Sequence, residues 1–552
     1  MAKRRSIFSL IFLFFATTPG CKPRDKTDNQ PAMAEKRDGI SLVLVVVIDQ
    51  LPIWSFNRDM SHFSGGVRRL LDNGTAYTGE FPYANTYTAP GHTTIGTGAP
   101  PAVTGIMANS WFSEEQNRHV SAVDDPRFPV FNPRRQGTFV KGVGVSTHRL
   151  LIKGLADALR EGSPGSRSVS IGLKERAAAL LLGKKADLAV WYEPDIPAMT
   201  TSRFFTKTFP RWLTQFNEKN PIEKQFNYTW TPLDAALLAE VTRIPDAAPG
   251  EGNTEKITNK FPHAIANADP ANTLRATPLG TDLVFDTAKA AVVGMKLGQK
   301  SKTDLLALTI SSHDYAGHYW GQESWERLDL MLRLDKSLGA FLAYLDENVG
   351  KGKYAVVFTS DHGAMPMVEQ SRALGHTAIR LTGKSVLKAA KDTAESELGR
   401  GLWVQSVAAN GVYMSEQFNA LPEGKREAVL DKIAEAVSRV EGIGYTAPRD
   451  KILGECDNRE GIEALACRTV HPTRSGEIFS APGRWSIVTS KYKTGTSHGT
   501  PNPEDRLVPI LVSVPDAEPR IVDAPVSMLR VAPTVAKLLG IKVPSTAKAP
   551  PL

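Results

Sequence analysis

The sequence predicts an α/β protein, a mostly parallel central sheet flanked by helices with insertions crowning the sheet edge, and three observations predict it. Ser41–Ile48 is an unbroken aliphatic run rich in β-branched residues, the pattern of a strand buried on both faces of a parallel sheet, and it stops at Asp49. The pattern recurs at Asp304–Ile310, which runs into Ser311, Ser312, His313 and Asp314, and at Tyr354–Thr359, which runs into Ser360, Asp361 and His362. Helical periodicity lies between and after the strands, at Trp325–Asn348, Lys425–Val440 and Ser527–Leu539, and Val508–Ser513 reads as a fourth strand. Ligands of open α/β sheets bind beyond the carboxyl ends of strands, so three ends that stop in Asp or Asp-His mark a candidate site.

The chain has 552 residues, which admits one large domain with insertions or two domains. With 41% hydrophobic and 22% charged residues it has the composition of a folded protein. Lys3, Arg4 and Arg5 followed by the apolar run Ile7–Ala16 read as a secretory leader over 1–20, too short to cross a bilayer. Cys21 is a candidate lipid attachment point, and 21–39 mixes charge, Pro, Asn and Gln in the manner of a flexible tether. A periplasmic or otherwise extracytoplasmic location is expected. The catalytic domain is expected over 40–545, with insertions at about 112–300 and 365–500; Pro245–Leu279 and Met365–Pro501 depart most from the alternation. Cys456 and Cys467 are expected to pair in an oxidising compartment. Three of the +8 net charges belong to the leader, and the remaining cations are interspersed with Asp and Glu, which argues against a nucleic-acid partner.

Asp49, Asp314 with His318 four residues on, Asp361-His362 and His498 supply three carboxylates and three imidazoles. That is enough for two divalent-cation sites that keep positions open for substrate, and a helical turn would bring Asp314 and His318 onto one ion. Imidazole favours zinc over magnesium, although the ligand types alone also admit manganese or iron. Tyr87–Gly98 is rich in turn residues and threonines and suits a helix start, where free amides meet an anion and a hydroxyl can face a bound phosphate; several threonines compete for that role. Lys174 and Arg176, taken alone, read as a solvated basic turn. His92, His313 and His376 read as packing or ligand-orienting residues.

In order along the chain, Asp49, Thr88-x-Pro90-Gly91-His92, Asn109, Lys174-x-Arg176, Asp314-x-x-x-His318, Asp361-His362 and His498 resemble the periplasmic phosphate-irrepressible alkaline phosphatases. The resemblance runs from about Ile40 to Ile541 and includes the closing Ala532–Gly540 helix. It implies an alkaline-phosphatase-like sandwich with Thr88 as nucleophile and two zinc ions per chain. Asp314, His318 and His498 would hold one, and Asp49, Asp361 and His362 the other together with Thr88. Asn109, Lys174 and Arg176 would bind the transferred phosphate; a guanidinium fork and a compact ammonium suit the dianion of a monoester. The implied activity is hydrolysis of small-molecule phosphate monoesters through a phosphothreonine, by a monomer that meets a membrane only through Cys21. No Cys or Ser with Pro and Arg at the required spacing occupies the nucleophile position, so a formylglycine sulfatase is excluded. The rival readings are a phosphodiesterase or nucleotide pyrophosphatase sharing the same ligands and threonine, and a non-catalytic exported metal-binding lipoprotein.

Overall fold

The computed structural model describes residues 39–252, 258–489 and 495–552, so the leader, Cys21 and the tether up to residue 38 lie outside the described residues. In chain order, the strands of interest are β1 (Leu42–Ile48), β2 (Thr75–Glu80), β3 (Ser168–Gly172), β4 (Leu188–Glu193), β5 (Ala198–Thr200), β6 (Asp304–Ile310), β7 (Tyr354–Ser360), β8 (Val404–Ala408), β9 (Gly411–Met414), β10 (Ile443–Pro448), β11 (Ile478–Pro482), β12 (Leu507–Ser513) and β13 (Arg520–Ser527). The helices used below are α1 (Thr88–Thr97), α2 (Pro278–Gly294), α3 (Ser312–Trp320), α4 (Trp325–Leu345), α5 (Gly383–Leu398), α6 (Glu423–Ser438) and α7 (Val531–Leu539).

Nine of these strands form one sheet in the order β13-β2-β12-β7-β1-β6-β3-β4-β5. The run β7-β1-β6-β3-β4 is parallel, whereas β12 is antiparallel to both its neighbours and β5 to β4. All seven residues of β1 are buried because both faces are covered. Leu42, Leu44, Val46 and Ile48 enter one core with α2 and α4, and Val43, Val45 and Val47 enter the opposite core with α7 and Ile95 of α1. Period-2 alternation within one aliphatic run thus fills two cores at once and yields a three-layer helix–sheet–helix sandwich.

A separate four-stranded antiparallel sheet, β8-β9-β11-β10, carries α5 and α6 around its own apolar core of Val386, Val404, Val412, Phe418, Ile433 and Ile478. This is the insertion after β7. Cys456 and Cys467 within it are joined by a disulfide. The stretch 112–300 is not one insertion, because β3, β4 and β5 from its middle complete the central sheet and α2 covers one face. β3 escapes a sequence reading because Ser168, Ser170 and Gly172 interrupt its apolar character, although all five residues are buried. Among the described residues no helix is long and apolar enough to cross a membrane.

Candidate active site

The register of the parallel strands brings four polar turns level. Ile48 of β1 pairs with Ile310 of β6 and Ser360 of β7, and Thr309 pairs with Gly172 at the end of β3. Asp49, Asp314, Asp361-His362 and Lys174 therefore emerge side by side from four neighbouring strands. Asp314 and His318 lie one turn apart on α3, with His318 Nε2 3.2 Å from Asp314 Oδ1. His498 Nε2 lies 3.5 Å from the same oxygen. His362 Nε2 is 3.5 Å from Asp49 Oδ1 and 3.4 Å from Asp361 Oδ2.

Thr88 is the first residue of α1, preceded by Tyr87 in extended conformation, and every residue of that helix is buried. The helix approaches the end of β7 closely because Gly91 has no side chain: a Cβ there would stand 2.0 Å from the Asp361 carbonyl oxygen. Asn109 Oδ1 accepts the backbone N–H of Ala89 at 2.8 Å, which fixes the amide and directs its NH2 away from the helix. Lys174 Nζ donates to Asp49 Oδ2 at 2.7 Å and also to Asp314 Oδ2. Lys174, expected to meet the phosphate, is thus seated on the far oxygens of two carboxylates. Among the described residues Arg176 is ion-paired only with Glu175, at 3.4 Å, and its Nε has no hydrogen-bond partner.

Three features fit divalent cations. Each of the three imidazoles has Nδ1 against a backbone carbonyl: His318 on Thr496 O at 2.9 Å, His362 on Gly363 O at 2.8 Å and His498 on Thr86 O at 2.8 Å. A carbonyl only accepts, so Nδ1 carries the hydrogen and the Nε2 lone pair faces the centre. Asp49 Oδ1, Thr88 Oγ1, Asp361 Oδ2 and His362 Nε2 are buried polar atoms without a hydrogen-bond partner, and buried polar groups are ordinarily satisfied. Finally, three carboxylates are buried at the centre and the Lys174 ammonium pairs with two of them, Asp49 and Asp314, whereas buried charge is ordinarily balanced. The ligand atoms of Asp314, His318 and His498 lie within 4.8 Å of one another, as do those of Asp49, Asp314 and His362.

The family model for type I phosphodiesterase / nucleotide pyrophosphatase matches residues 43–503. Alkaline phosphatase PhoV of Synechococcus elongatus is 30% identical over 529 residues, covering 91% of this chain and 90% of that protein. The chain belongs to the threonine-nucleophile branch of the alkaline phosphatase superfamily. Alkaline phosphatase PafA of Elizabethkingia meningoseptica is 30% identical over 528 residues, covering 93% of each chain. The crystal structure of wild-type PafA superposes with a TM-score of 0.86 at 28% identity, covering 94% of this chain and 99% of that one.

Around the centre of this superfamily member stand Gln50, Gln322, Tyr315 and Arg275, which its sequence patterns do not flag, beside the histidines that they do. Gln50 follows Asp49 with φ 70°, a left-handed conformation unusual for a residue other than glycine or Asn. Its backbone N–H donates to Asp361 Oδ1 at 3.1 Å and its Nε2 to Asp314 Oδ1 at 2.9 Å, so one residue ties together both ligand groups. Gln322 holds it by donating Nε2 to Gln50 Oε1 at 2.8 Å. His92, one turn after Thr88, donates Nδ1–H to Thr88 O at 2.9 Å, with Asp361 Oδ2 3.0 Å away, and sets Nε2 2.7 Å from Thr309 Oγ1. Tyr315 lies beneath both the Lys174 ammonium, 5.1 Å from its ring centre, and the Arg275 guanidinium, 4.6 Å away. His313 is fully buried and held down to about 4 by burial, and His376 stacks on Trp485 well outside the centre.

Burial pushes His498 down to about 3, with the neighbouring His362 adding to it, so its imidazole is neutral. Burial also opposes charge on His362, but Asp361 and Asp49 outweigh it and hold that ring up at about 9. The same carboxylate field that favours an imidazolium favours a cation.

Proposed function

We propose that this chain is a phosphomonoesterase that transfers the phosphoryl group of a small-molecule monoester to Thr88 and then to water. The observation that carries the reading is the set of unpartnered buried atoms, in which the Thr88 hydroxyl stands with Asp49 Oδ1, Asp361 Oδ2 and His362 Nε2. When bound, two divalent cations, zinc by the imidazole content, held by Asp314, His318 and His498 and by Asp49, Asp361, His362 and Thr88, would supply Lewis acidity that lowers the pKa of the hydroxyl and neutralises phosphoryl charge.

The chain's own groups divide the remaining work. Thr88 Oγ forms the new bond to phosphorus as the bond to the ester oxygen breaks and the alcohol departs. Water then attacks phosphorus, the Thr88 oxygen leaves and inorganic phosphate is released. Asn109, whose carbonyl is occupied by Ala89 N–H, has its NH2 to donate to a phosphoryl oxygen. Arg176 would grip two oxygens with its guanidinium fork, and Lys174 brings positive charge beside Asp49 and Asp314. These cations favour the dianion of a monoester over a diester, and the relatives named alkaline phosphatases support the same choice. The phosphodiesterase description of the family model makes diester cleavage the second reading. Export fits the Cys456–Cys467 disulfide, which persists in oxidising compartments.

Hydrolysis of p-nitrophenyl phosphate and bis-p-nitrophenyl phosphate by wild type and Thr88→Ala, with metal content measured on the same samples, tests this. The monoester should be strongly preferred, and Thr88→Ala should lose turnover while keeping its metal. Equal rates for the two proteins would move the nucleophile elsewhere.

A further inference from the structure

An ammonium set among carboxylates keeps its use to an incoming anion only if something besides those carboxylates holds it in place. Lys174 Nζ pairs with Asp49 Oδ2 and Asp314 Oδ2, and it also stands 5.1 Å from the ring centre of Tyr315. A carboxylate cancels the charge it meets, whereas an aromatic face attracts a cation through its quadrupole and leaves the net charge in place. Such a contact strengthens as the cation leaves water, and the Lys174 side chain is only 2% exposed.

Tyr315 is delivered by the same helix as two of the proposed ligands. It follows Asp314 directly on α3, three residues before His318, and its backbone N–H donates to Ser311 O at 3.1 Å, so the ring is fixed to the ligand-bearing turn. A second chain segment pins the ring from outside. Arg275, in the short turn Leu274–Ala276 ahead of α2, donates Nη1 to the Tyr315 hydroxyl oxygen at 2.8 Å and stands 4.6 Å from the ring centre. The guanidinium is itself held by Asn272, with Nε donating to the backbone carbonyl at 3.3 Å and Nη2 to the side-chain oxygen. All of these partners are neutral, so Arg275 clamps Tyr315 without an acid that would draw Lys174 away from Asp49 and Asp314.

We propose that Tyr315 and Arg275 are positioning residues for Lys174: the clamped ring holds the ammonium at the centre and keeps its charge available to a phosphoryl dianion. The inference rests on the monoester reading above, in which Lys174 brings positive charge to the transferred group. A diester monoanion gains less from that charge, so losing the support should fall unevenly on the two ester classes.

The test is a double-mutant cycle on the metal-loaded full chain. Tyr315→Leu, which removes the ring, and Tyr315→Phe, which keeps it, are each made in wild type and in Lys174→Ala. Four quantities are read: kcat/KM for p-nitrophenyl phosphate and for bis-p-nitrophenyl phosphate, the affinity for inorganic phosphate by calorimetry, and metal content. Tyr315→Leu should lower kcat/KM for the monoester by about tenfold and for the diester by less than about twofold, with phosphate affinity falling alongside the monoester rate and metal content unchanged. Tyr315→Phe, which retains the π-face and lacks only the hydroxyl that Arg275 grips, should recover most of the loss. In the Lys174→Ala background Tyr315→Leu should cost the monoester less than about twofold, because the group it supports is gone. A loss of equal size for both esters, or of equal size with and without Lys174, overturns the inference, since the ring would then serve packing alone. Metal lost from Tyr315→Leu also overturns it, by tracing the effect to Asp314. If Tyr315→Leu does not fold, Arg275→Met runs the same cycle with an expected monoester loss of about threefold and is judged by the same comparisons. If wild type binds phosphate but turns over neither ester, the monoester reading fails, and phosphate affinity across the cycle then decides the support of Lys174 by itself.

Discussion

Gly91→Ala tests whether the contact between α1 and the end of β7 sets the geometry of the centre. The added methyl would stand 2.0 Å from the Asp361 carbonyl oxygen, 2.7 Å from its carbonyl carbon and 2.9 Å from its Cβ, where ordinary contact begins at 3.4 Å. All three are atoms of the residue proposed to share a ligand sphere with Thr88, and no flexible side chain is available to yield. Because every residue of α1 is buried, relief requires the helix and strand end to part by about 1 Å, a displacement that can cost on the order of 100-fold in rate when it separates reacting groups. Overpacking of this kind also destabilises by about 1–3 kcal/mol. The assay is kcat/KM for p-nitrophenyl phosphate, normalised to the folded fraction from urea unfolding of the same preparation. Gly424→Ala is the matched control: its Cβ meets nothing within 4 Å in the first turn of α6, so activity should hold and stability should rise by up to about 1 kcal/mol. A Gly91→Ala enzyme within about threefold of wild type, with unchanged stability, would refute the claim that this close approach positions Thr88.

Gln50→Ala removes the donor to Asp314 and the acceptor for Gln322 and should weaken metal retention by about 10- to 100-fold, read by competition with a chelator of known affinity; retention equal to wild type would show that the Gln50 bridge is ornamental. Asp505, fully buried, has its carboxyl pushed up to about 7 by burial against hydrogen bonds from Thr500. Its folded pKa is above the unfolded 3.8, so the folded state binds the proton more tightly and its contribution to stability is lost as pH rises from about 4 through about 7. Urea unfolding at pH 5 and pH 8 should show a smaller loss for Asp505→Asn than for wild type. Replacing Cys456 and Cys467 by serine opens the disulfide that closes a separation of 11 residues and should lower stability by about 2–3 kcal/mol, measured by urea unfolding. Thiol titration of the denatured wild-type protein should find neither cysteine until a reductant is added.

The sequence made the centre of the sheet readable and left its flanks obscure, for a physical reason visible in particular strands. β1, β6 and β7 are covered on both faces, so they must be aliphatic throughout, and the polar residue that ends each one stands out. β3 packs serines and a glycine at equally buried positions, and its Gly172 is required because a Cβ would stand 2.2 Å from Thr309 Cγ2. That requirement is tertiary and has no local signature. The antiparallel setting of β12 between β2 and β7 is hidden for the same reason, since pairing direction is decided by the path of the chain and not by composition. Within the centre, residue types with known ligand chemistry could be picked out along the chain. Gln50 could not, because glutamine seldom adopts a left-handed conformation, and neither could the seating of Lys174 on Asp49 and Asp314, which depends on β3 lying beside β6.

The ligand-bearing turns and the insertion rest on different cores. The ligand-bearing turns continue strands whose side chains fill the two large cores of the sandwich, so each carboxylate is held from several directions and a change of a fraction of an ångström meets resistance from close packing. The core of the insertion is instead a separate cluster, and its attachment near Thr88 runs through Asn410 at the tip of the β8–β9 hairpin. Substitutions within the core of the insertion should therefore put little strain on Asp49, Asp314 or Asp361. A change at the hairpin tip is different. Asn410 bonds both Asn85 and Gly499, so loosening it should release the segments beside Thr88 and His498 together, and turnover should fall.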